Sequence, residues 1–379
     1  MPDVLIYGDT FRSPELRHEL PIGIPDPFLY AERDGERSVL ISSMEAPRVE
    51  EVDGGLKLVI WEDVGRDELV AQGLTRSEVI DEMVRRAVKA SGIRSAVVPE
   101  TFPVRIADLL RADGVDLRAD PGFFDDRRRV KNEAELAGIR RAQRAAEAGM
   151  DAARDLLRHA SANGGMLELD GEPLTSERIK TAIGRAFVDH GTSADEFIVS
   201  HGAQSAVGHH MGSGALRAGE PIVIDVWPRD GESACYADMT RTFAVGGVPD
   251  ELAEWHRLVK DALDRSIDLI REGASCRAIY DASCEGFEAA GFPTDRKKLA
   301  GRPLQEGFFH GLGHGVGLEV HEQPQLGVTT RETLRAGDVV TVEPGLYRPG
   351  FGGLRLEDLV LVTADGSENL TRYPYDLAP

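Results

Sequence analysis

The chain of 379 residues exceeds what one hydrophobic core usually organises, so its length favours two domains. An apolar content of 41% and a charged content of 29% are ordinary for a globular protein, and no run is long and apolar enough for a membrane span. A formal net charge of −21 repels phosphate backbones and anionic lipid, which argues against nucleic-acid and membrane partners. Three cysteines and an N-terminus unlike a secretory signal favour the cytoplasm.

Residues 1–128 are expected to form a small α/β domain. Short apolar runs predict strands at 38–42, 56–61 and 95–99. Between them a helix is predicted over 75–91, because Thr75-Arg-Ser-Glu78 matches the capping box that starts helices. Strands that alternate with helices are typical of an α/β unit.

Residues 129–379 are expected to form a second, larger domain. Its first segment, 132–160, is rich in Ala, Glu, Leu and Arg and predicts a long helix, followed by a loop at 161–173. Further helices are predicted at 176–190 and 251–272. Strand-like alternation marks four segments, 221–227, 237–245, 338–343 and 353–363.

Two aspartates stand beside strand-like runs. Asp225 follows the apolar residues 221–224, where an ionised carboxylate costs several kcal/mol unless it is paired or bound to a metal. Asp238 lies beyond a hairpin loop through 228–231, so the two carboxylates can face one cation from neighbouring strands. Both are equally well read as ordinary turn acids, because aspartate is common in turns.

Two glutamates repeat this anomaly. Glu343 ends a β-branched run, and Glu357 shares one face of the predicted strand 353–363 with Arg355 under two-residue alternation. Acids are depleted at interior strand positions. One shared metal site would explain all four acids.

Three of the ten histidines, His310, His314 and His321, lie in a glycine-rich segment that permits close backbone approach. A single histidine is more often a packed or surface residue than a ligand, but three together favour a site. The run 311–315 lacks the full dinucleotide-binding pattern, and the sequence has no HExxH, GxSxG or CxxC motif.

The charge balance indicates the kind of site. Four carboxylates carry −4, which two divalent cations neutralise, with a bridging hydroxide and one neutral histidine completing the set. Oxygen-rich ligands with one imidazole suit Mn, Co or Fe at least as well as Zn.

Over residues 130–379 these segments resemble the pita-bread metallopeptidase family, which includes methionine aminopeptidase, prolidase and aminopeptidase P. The resemblance implies an α/β (α+β) protein with a creatinase-like N-terminal domain and a catalytic domain built on a mostly antiparallel curved sheet. It implies two divalent metal ions, Mn or Co ahead of Zn or Fe. The implied ligands are Asp225, Asp238, His314, Glu343 and Glu357.

The resemblance also assigns positions within this set. Asp238 and Glu357 would bridge the two metals. Asp225 would complete one coordination shell, and His314 and Glu343 would complete the other.

A separate N-terminal domain resembles prolidase and aminopeptidase P rather than methionine aminopeptidase. This likeness implies cleavage of Xaa-Pro bonds in short peptides and a homodimer. Creatinase shares the architecture but lacks the ligands that this chain retains. Two features depart from the family: the interval from Asp225 to Asp238 is two residues longer than usual, and Trp227 replaces a glycine. An even insertion keeps both carboxylates on one face, while the pocket beside them changes.

The implied mechanism is hydrolysis by a hydroxide that bridges the two metals. His209, His310 and His321 fall at histidine positions of the family, and His209 and His321 would donate to the oxyanion or orient the peptide. Glu343 would shuttle the proton. Arg355 would either orient Glu357 or form a plain ion pair.

Three classes of function stay open at this point. They are an Xaa-Pro dipeptidase or aminopeptidase, an aminopeptidase or other C–N hydrolase of the same fold without proline preference, and a binding protein that retains the metals without turnover. Xaa-Pro and Xaa-Ala peptides assayed with added Mn or Co separate the first two. Full metal occupancy without hydrolysis of any short peptide would indicate the third.

Overall fold

One six-stranded mixed sheet organises the first part of the chain, which ends at Arg128 in the computed structural model of residues 2–379. Its strands are β1 (Val4–Gly8), β2 (Phe28–Arg33), β3 (Glu36–Ile41), β4 (Lys57–Ile60), β5 (Ser95–Val98) and β6 (Asp116–Ala119). The order across the sheet is β4-β3-β2-β1-β5-β6. Leu5 packs into one apolar cluster, and its neighbours Val4 and Ile6 pack into another. Because successive strand residues point to opposite faces, both faces of the sheet are covered.

Six helices accompany this sheet. They are α1 (Pro14–Glu19), α2 (Ala46–Val52), α3 (Arg66–Ala71), α4 (Arg76–Ser91), α5 (Val104–Ala112) and α6 (Pro121–Arg129). Helix α4 confirms the predicted capping box: the Thr75 side chain accepts from the Glu78 N–H, and the Glu78 carboxylate accepts from the Thr75 N–H. Gly92, in the left-handed conformation at φ 74°, ends the helix.

The second unit, Arg129–Pro379, contains four α-helices, of which the first is the longest in residues 2–379. They are α7 (Glu133–His159), α8 (Ser176–Asp189), α9 (Asp250–Asp268) and α10 (Cys276–Ala289). Helix α7 begins at a second capping box, formed by Asn132 and Glu135, and confirms the long helix predicted there. Helix α10 is an element that the sequence pattern did not predict. Within residues 2–379 no helix combines the length and apolar character that a membrane crossing requires.

Fifteen strands complete the second unit, and those that carry or adjoin the acids and His314 fall into two antiparallel sheets. One sheet has the order β11-β12-β14 and the other β16-β15-β17-β20-β21. The strands are β7 (Ser161–Asn163), β8 (Met166–Leu169), β9 (Glu172–Pro173), β10 (Thr192–Ser193), β11 (Ile198–His201), β12 (Ile222–Val226), β13 (Arg229–Asp230), β14 (Met239–Phe243), β15 (Gly313–Gly315), β16 (Glu322–Leu326), β17 (Val339–Val342), β18 (Gly345–Arg348), β19 (Gly352–Arg355), β20 (Asp358–Thr363) and β21 (Gly366–Asn369).

The single strand predicted over 353–363 is wrong. The chain breaks at Leu356 and Glu357: β19 pairs with β18 in a separate two-stranded sheet, and β20 pairs with β17 and β21. The break is stabilised by the Glu357 N–H, which donates to the Thr240 carbonyl at 3.1 Å instead of to a neighbouring ladder. A two-residue alternation cannot reveal that a strand passes from one sheet to another.

The loop predicted at 161–173 is also wrong in part. It folds into the small antiparallel sheet β7-β8-β9. Gly164, Gly165, Asp170 and Gly171, which the sequence reading took as signs of a loop, have positive φ angles and form its two tight turns.

Candidate metal centre

The two aspartates lie on adjacent antiparallel strands. Asp225 on β12 is directly opposite Thr240 on β14, and Asp238 immediately precedes β14. Asp225 and Asp238 are therefore diagonal neighbours rather than a direct cross-strand pair, and alternation turns both toward the same face. The prediction that these two strands are neighbours is confirmed, but the residue directly opposite Asp225 is Thr240, two positions after Asp238.

The second sheet brings three further residues to this place. His314 lies on β15, Glu343 directly follows β17, and Glu357 directly precedes β20. One ligand atom from each of Asp238, His314 and Glu357 lies within 4.8 Å of the other two. The His314 Nε2 atom is 3.4 Å from Glu343 Oε1 and 3.8 Å from Asp238 Oδ2. The predicted acids and histidine thus meet between two sheets.

Thr240 orients the Glu357 carboxylate, a contact that the sequence analysis missed. Its hydroxyl donates to Glu357 Oε2 at 2.7 Å, and its carbonyl accepts from the Glu357 N–H at 3.1 Å. The only sequence signal was spacing, because Thr240 is two positions after Asp238 and so faces the same side of the strand.

Arg355 forms an ion pair with Asp225 rather than with Glu357. Its Nη2 atom lies 2.5 Å from Asp225 Oδ2, and its Nε donates to the Thr240 hydroxyl at 3.2 Å. It reaches Glu357 only through Thr240, because the chain breaks between β19 and β20. The sequence left two roles open for Arg355, which were to orient Glu357 or to form a plain ion pair. The structure shows the ion pair, and its partner is Asp225.

Arg355 also begins a relay of hydrogen bonds toward His310. Its Nη1 donates to the Tyr347 hydroxyl at 2.9 Å, and that oxygen lies 3.0 Å from His310 Nε2. His310 Nδ1 lies 2.7 Å from the Gly311 carbonyl, so Nδ1 carries the proton and Nε2 accepts from Tyr347. Burial lowers the pKa of His310 to about 3, so this imidazole is neutral. Tyr347 is a second residue that the sequence analysis missed.

His314 is arranged to present a free lone pair to the acids. Its Nδ1 lies 3.1 Å from the Gly315 carbonyl, which fixes the proton on Nδ1 and leaves Nε2 facing Asp238 and Glu343. Burial lowers the pKa of His314, so the ring is neutral. A neutral imidazole whose other nitrogen donates to a backbone carbonyl is the usual arrangement of a metal-ligating histidine.

The two remaining histidines lie at the exposed side of the site. The His321 ring centre is 4.2 Å from that of His314, and partial burial lowers the pKa of His321. His209 is exposed and lies near His310 and His321. All three histidines predicted to assist catalysis are thus neighbours of the acids or of one another.

Trp227 is half-buried and directly follows β12. The longer connection after it is anchored rather than free: Asp230 is buried and accepts from Arg141 Nε and Nη2 at 2.9 and 2.8 Å. Asp230 also accepts from the Ser233 N–H and hydroxyl, each at 2.7 Å. The connection is therefore held on helix α7.

The acids carry more negative charge than the protein groups around them can balance. Burial raises the pKa values of Asp238 and Glu357 well above their usual range, and neighbouring carboxylates add to this effect. Burial also raises the pKa of Glu343 to about 7. Among residues 2–379, the buried Oδ1 atoms of Asp225 and Asp238 have no hydrogen-bond partner. This donor set, oxygen-rich with one neutral imidazole, fits divalent cations.

A family model described as metallopeptidase family M24 matches residues 137–364, which include the four acids of the site and His314. The chain belongs to metallopeptidase family M24. The match covers most of the second unit, from helix α7 to strand β20.

Two curated proteins have similar sequences. An Xaa-Pro dipeptidase of Pyrococcus furiosus is 32% identical over 189 residues, which are 48% of this chain and 49% of that protein. An Xaa-Pro dipeptidase of Pyrococcus horikoshii is 28% identical over 295 residues, which are 76% of this chain and 75% of that protein. The first of these alignments spans only about half of the relative's length.

Similar solved structures confirm the predicted fold class. An Xaa-Pro dipeptidase from Bacillus anthracis matches with a TM-score of 0.79 at 21% identity, over 100% of this chain and 94% of that chain. An X-Pro aminopeptidase from Thermotoga maritima matches with a TM-score of 0.78 at 21% identity, over 98% of this chain and 96% of that chain. The fold is a mixed α/β architecture of the pita-bread type with mostly antiparallel sheets.

Proposed function

We propose that this chain hydrolyses Xaa-Pro bonds in short peptides with the help of two divalent metal ions. The observation that supports this most is the buried set of Asp238, His314 and Glu357, whose ligand atoms lie within 4.8 Å of one another in a family M24 chain. The similarity to two Xaa-Pro dipeptidases supports the proline preference.

Five residues would hold the metals: Asp225, Asp238, His314, Glu343 and Glu357. When bound, two such cations supply an activated water and a Lewis acid for the scissile carbonyl. Mn and Co suit four carboxylates and one imidazole better than a thiolate-preferring ion does. The two aspartate oxygens without partners are the atoms that such cations would satisfy.

Glu343 is suited to carry the proton. Burial raises its pKa to about 7 in the metal-free chain, so this carboxyl holds a proton more readily than an exposed glutamate does. Its Oε1 atom lies beside His314, at the edge of the acid group. We assign it the transfer of a proton from the attacking water to the leaving nitrogen.

The remaining groups would bind and orient the peptide. His321 and His209, on the exposed side, would donate to the carbonyl oxygen as negative charge develops there, an effect of roughly 10²–10³ in rate for other preorganised donors. Arg355 holds Asp225 in place, and the Tyr347–His310 pair holds Arg355. Trp227 replaces a glycine of the family beside Asp225, so it is the residue most suited to alter the choice between proline and alanine.

A metal-reconstituted assay tests this function. The protein is freed of metal, reloaded with Mn or Co, and given Xaa-Pro dipeptides, longer peptides that begin with Xaa-Pro, and their Xaa-Ala counterparts. Faster hydrolysis of Xaa-Pro than of Xaa-Ala is the expected result. Equal rates would replace the proposal by an aminopeptidase without proline preference, and two bound metals without any hydrolysis would replace it by a binding protein.

Matched variants connect the activity to the site. Glu357→Gln should lose at least one metal equivalent and nearly all activity, while Glu285→Gln, an exposed acid on α10, should retain both. Size-exclusion chromatography of the same samples tests the implied homodimer.

A further inference from the structure

A buried arginine, Arg241, lies behind the strand that presents Asp238 to the metal centre. It stands opposite Ile224 in the pairing of β14 with β12. Alternation along β14 turns its side chain away from the face that carries Thr240. Only 1% of its surface is exposed, and a guanidinium at this depth is tolerated only when its N–H groups have acceptors.

The Arg241 guanidinium ties together three separate segments. Its Nη1 donates to the carbonyls of Thr240 at 2.9 Å and Glu357 at 2.8 Å. Its Nη2 donates to Asp358 Oδ1 at 2.9 Å and to the Tyr373 carbonyl at 3.0 Å, and its Nε to the Pro374 carbonyl at 2.9 Å. The segments are strand β14, the break between β19 and β20, and the C-terminal residues 373–374.

Glu357 depends on this arrangement because it lies in the break and belongs to no strand. Its N–H donates to the Thr240 carbonyl, and its own carbonyl accepts from Arg241. Both peptide groups that flank its Cα are therefore held through β14. A lysine has no planar fork and would lose most of these bonds.

The C-terminal residues 370–377, here called the C-terminal strap, hold Arg241 from its other side. The Tyr375 hydroxyl donates to Asp358 Oδ2 at 2.6 Å, and the Tyr375 ring centre is 4.4 Å from the guanidinium carbon of Arg241. The strap is fixed in turn by the Ala244 N–H, which donates to the Leu377 carbonyl at 2.8 Å. Asp358 balances the charge of Arg241, so this cluster adds no net charge behind the metal centre.

We infer that Arg241 is a positioning residue for the metal centre and that the C-terminal strap is the segment that keeps it in place. Arg241 fixes the backbone from which the Glu357 carboxylate extends, and the strap supplies two of its carbonyl acceptors and the ring against which it packs. The inference rests on the proposed function only in requiring that Glu357 bind metal.

Cobalt titration of the full chain tests the inference. Arg241→Lys keeps the positive charge. It should weaken Co²⁺ binding about 10–100-fold, which is the loss of affinity seen when a residue that orients a metal ligand is replaced. It should also alter the visible absorption of the bound Co²⁺. Added Co²⁺ should restore activity to the variant. The measurement is made well below the unfolding temperature, so that lost stability alone does not change the affinity.

Arg129→Lys is the matched control. Arg129 is also buried, with 2% exposure, and donates to both carboxylate oxygens of Asp338 at 3.0 and 2.7 Å in the same unit. Its replacement should lower the unfolding temperature to a similar extent and leave the affinity and absorption of Co²⁺ unchanged. Comparing the two variants separates an effect of Arg241 on the position of Glu357 from an effect on the stability of the whole unit.

Two results would overturn the inference, and they are distinguishable from failure of the proposed function. If the wild-type chain binds two Co²⁺ ions and Arg241→Lys binds them with the same affinity and absorption, Arg241 has no positioning role. If the wild-type chain binds no Co²⁺, the proposed function fails first. Should Arg241→Lys not fold, Tyr375→Phe decides: loss of its hydroxyl from Asp358 should weaken Co²⁺ binding at least about threefold, and an unchanged affinity refutes the role of the strap.

Discussion

The two aspartates of the candidate metal centre should respond in opposite ways when each loses its charge in the metal-free protein. Asp225 is paired with Arg355, whereas Asp238 lies among other acids and a neutral histidine. We predict that Asp238→Asn raises the unfolding temperature of the metal-free chain and that Asp225→Asn lowers it. Both variants should bind less metal than the wild type.

The magnitude for Asp238 follows from its distance to Glu357. Their ligand atoms lie within 4.8 Å, and two unit charges at that separation repel by roughly 3 kcal/mol at an effective dielectric constant of about 20. The carboxyl either bears this repulsion or takes up a proton at a similar cost, so Asn removes the penalty in both cases. For a unit of this size, about 3 kcal/mol corresponds to a rise of roughly 6–12 °C.

The magnitude for Asp225 follows from the partner that it leaves behind. Asp225→Asn leaves the Arg355 guanidinium buried without its carboxylate, and breaking a buried pair in this way costs about 3–5 kcal/mol. Differential scanning calorimetry at pH 8 with excess chelator measures both effects on the second unit. If Asp238→Asn destabilises the metal-free chain as much as Asp225→Asn does, the acids do not repel one another and the electrostatic reasoning is wrong.

Three further predictions concern the same site. Burial raises the pKa of Glu343 to about 7 in the metal-free fold. The protonated carboxyl therefore stabilises the fold fully below about pH 4, and this stabilisation is lost as the pH rises through 7. The unfolding temperature should fall between pH 5 and 8, and it should fall less steeply in Glu343→Gln. Thr240→Val removes the hydroxyl that donates to Glu357 and should weaken Co²⁺ binding about 10–100-fold by titration, whereas Thr181→Val, exposed on α8, should not. Tyr347→Phe removes the acceptor of a buried guanidinium and should destabilise the chain by about 1–3 kcal/mol in urea unfolding, and an unchanged midpoint would show that this hydrogen bond contributes nothing.

Local signals in the sequence predicted much of the fold. The capping box at Thr75 predicted where α4 begins, because the bonds involved span only three residues. The run of helix-forming residues over 132–160 predicted α7. The acids at strand ends predicted that these side chains share one place, since an unpaired carboxylate beside an apolar run needs a partner wherever the run is placed.

Contacts between distant segments were beyond those signals. The hydrogen bond from Thr240 to Glu357 joins residues 117 positions apart, and the ion pair of Arg355 with Asp225 joins residues 130 positions apart. The two-residue alternation of side chains wrongly predicted that Arg355 and Glu357 lie on one face of a strand. This pattern holds only while a strand stays in one sheet, and the chain leaves its sheet between these residues. Arg241 gave no local signal either, since its acceptors come together only when the C-terminal strap reaches β14.

The acids and histidine of the site are divided between two sheets that share no strand. Asp225 and Asp238 belong to the sheet of β12 and β14, while His314, Glu343 and Glu357 adjoin strands of the other. Cations bound by both groups would link the two sheets, in addition to the hydrogen bonds that join Thr240 and Arg241 to the Glu357 segment. Loss of the cations would remove one of these links, so metal binding would also stabilise the packing of the two sheets against each other.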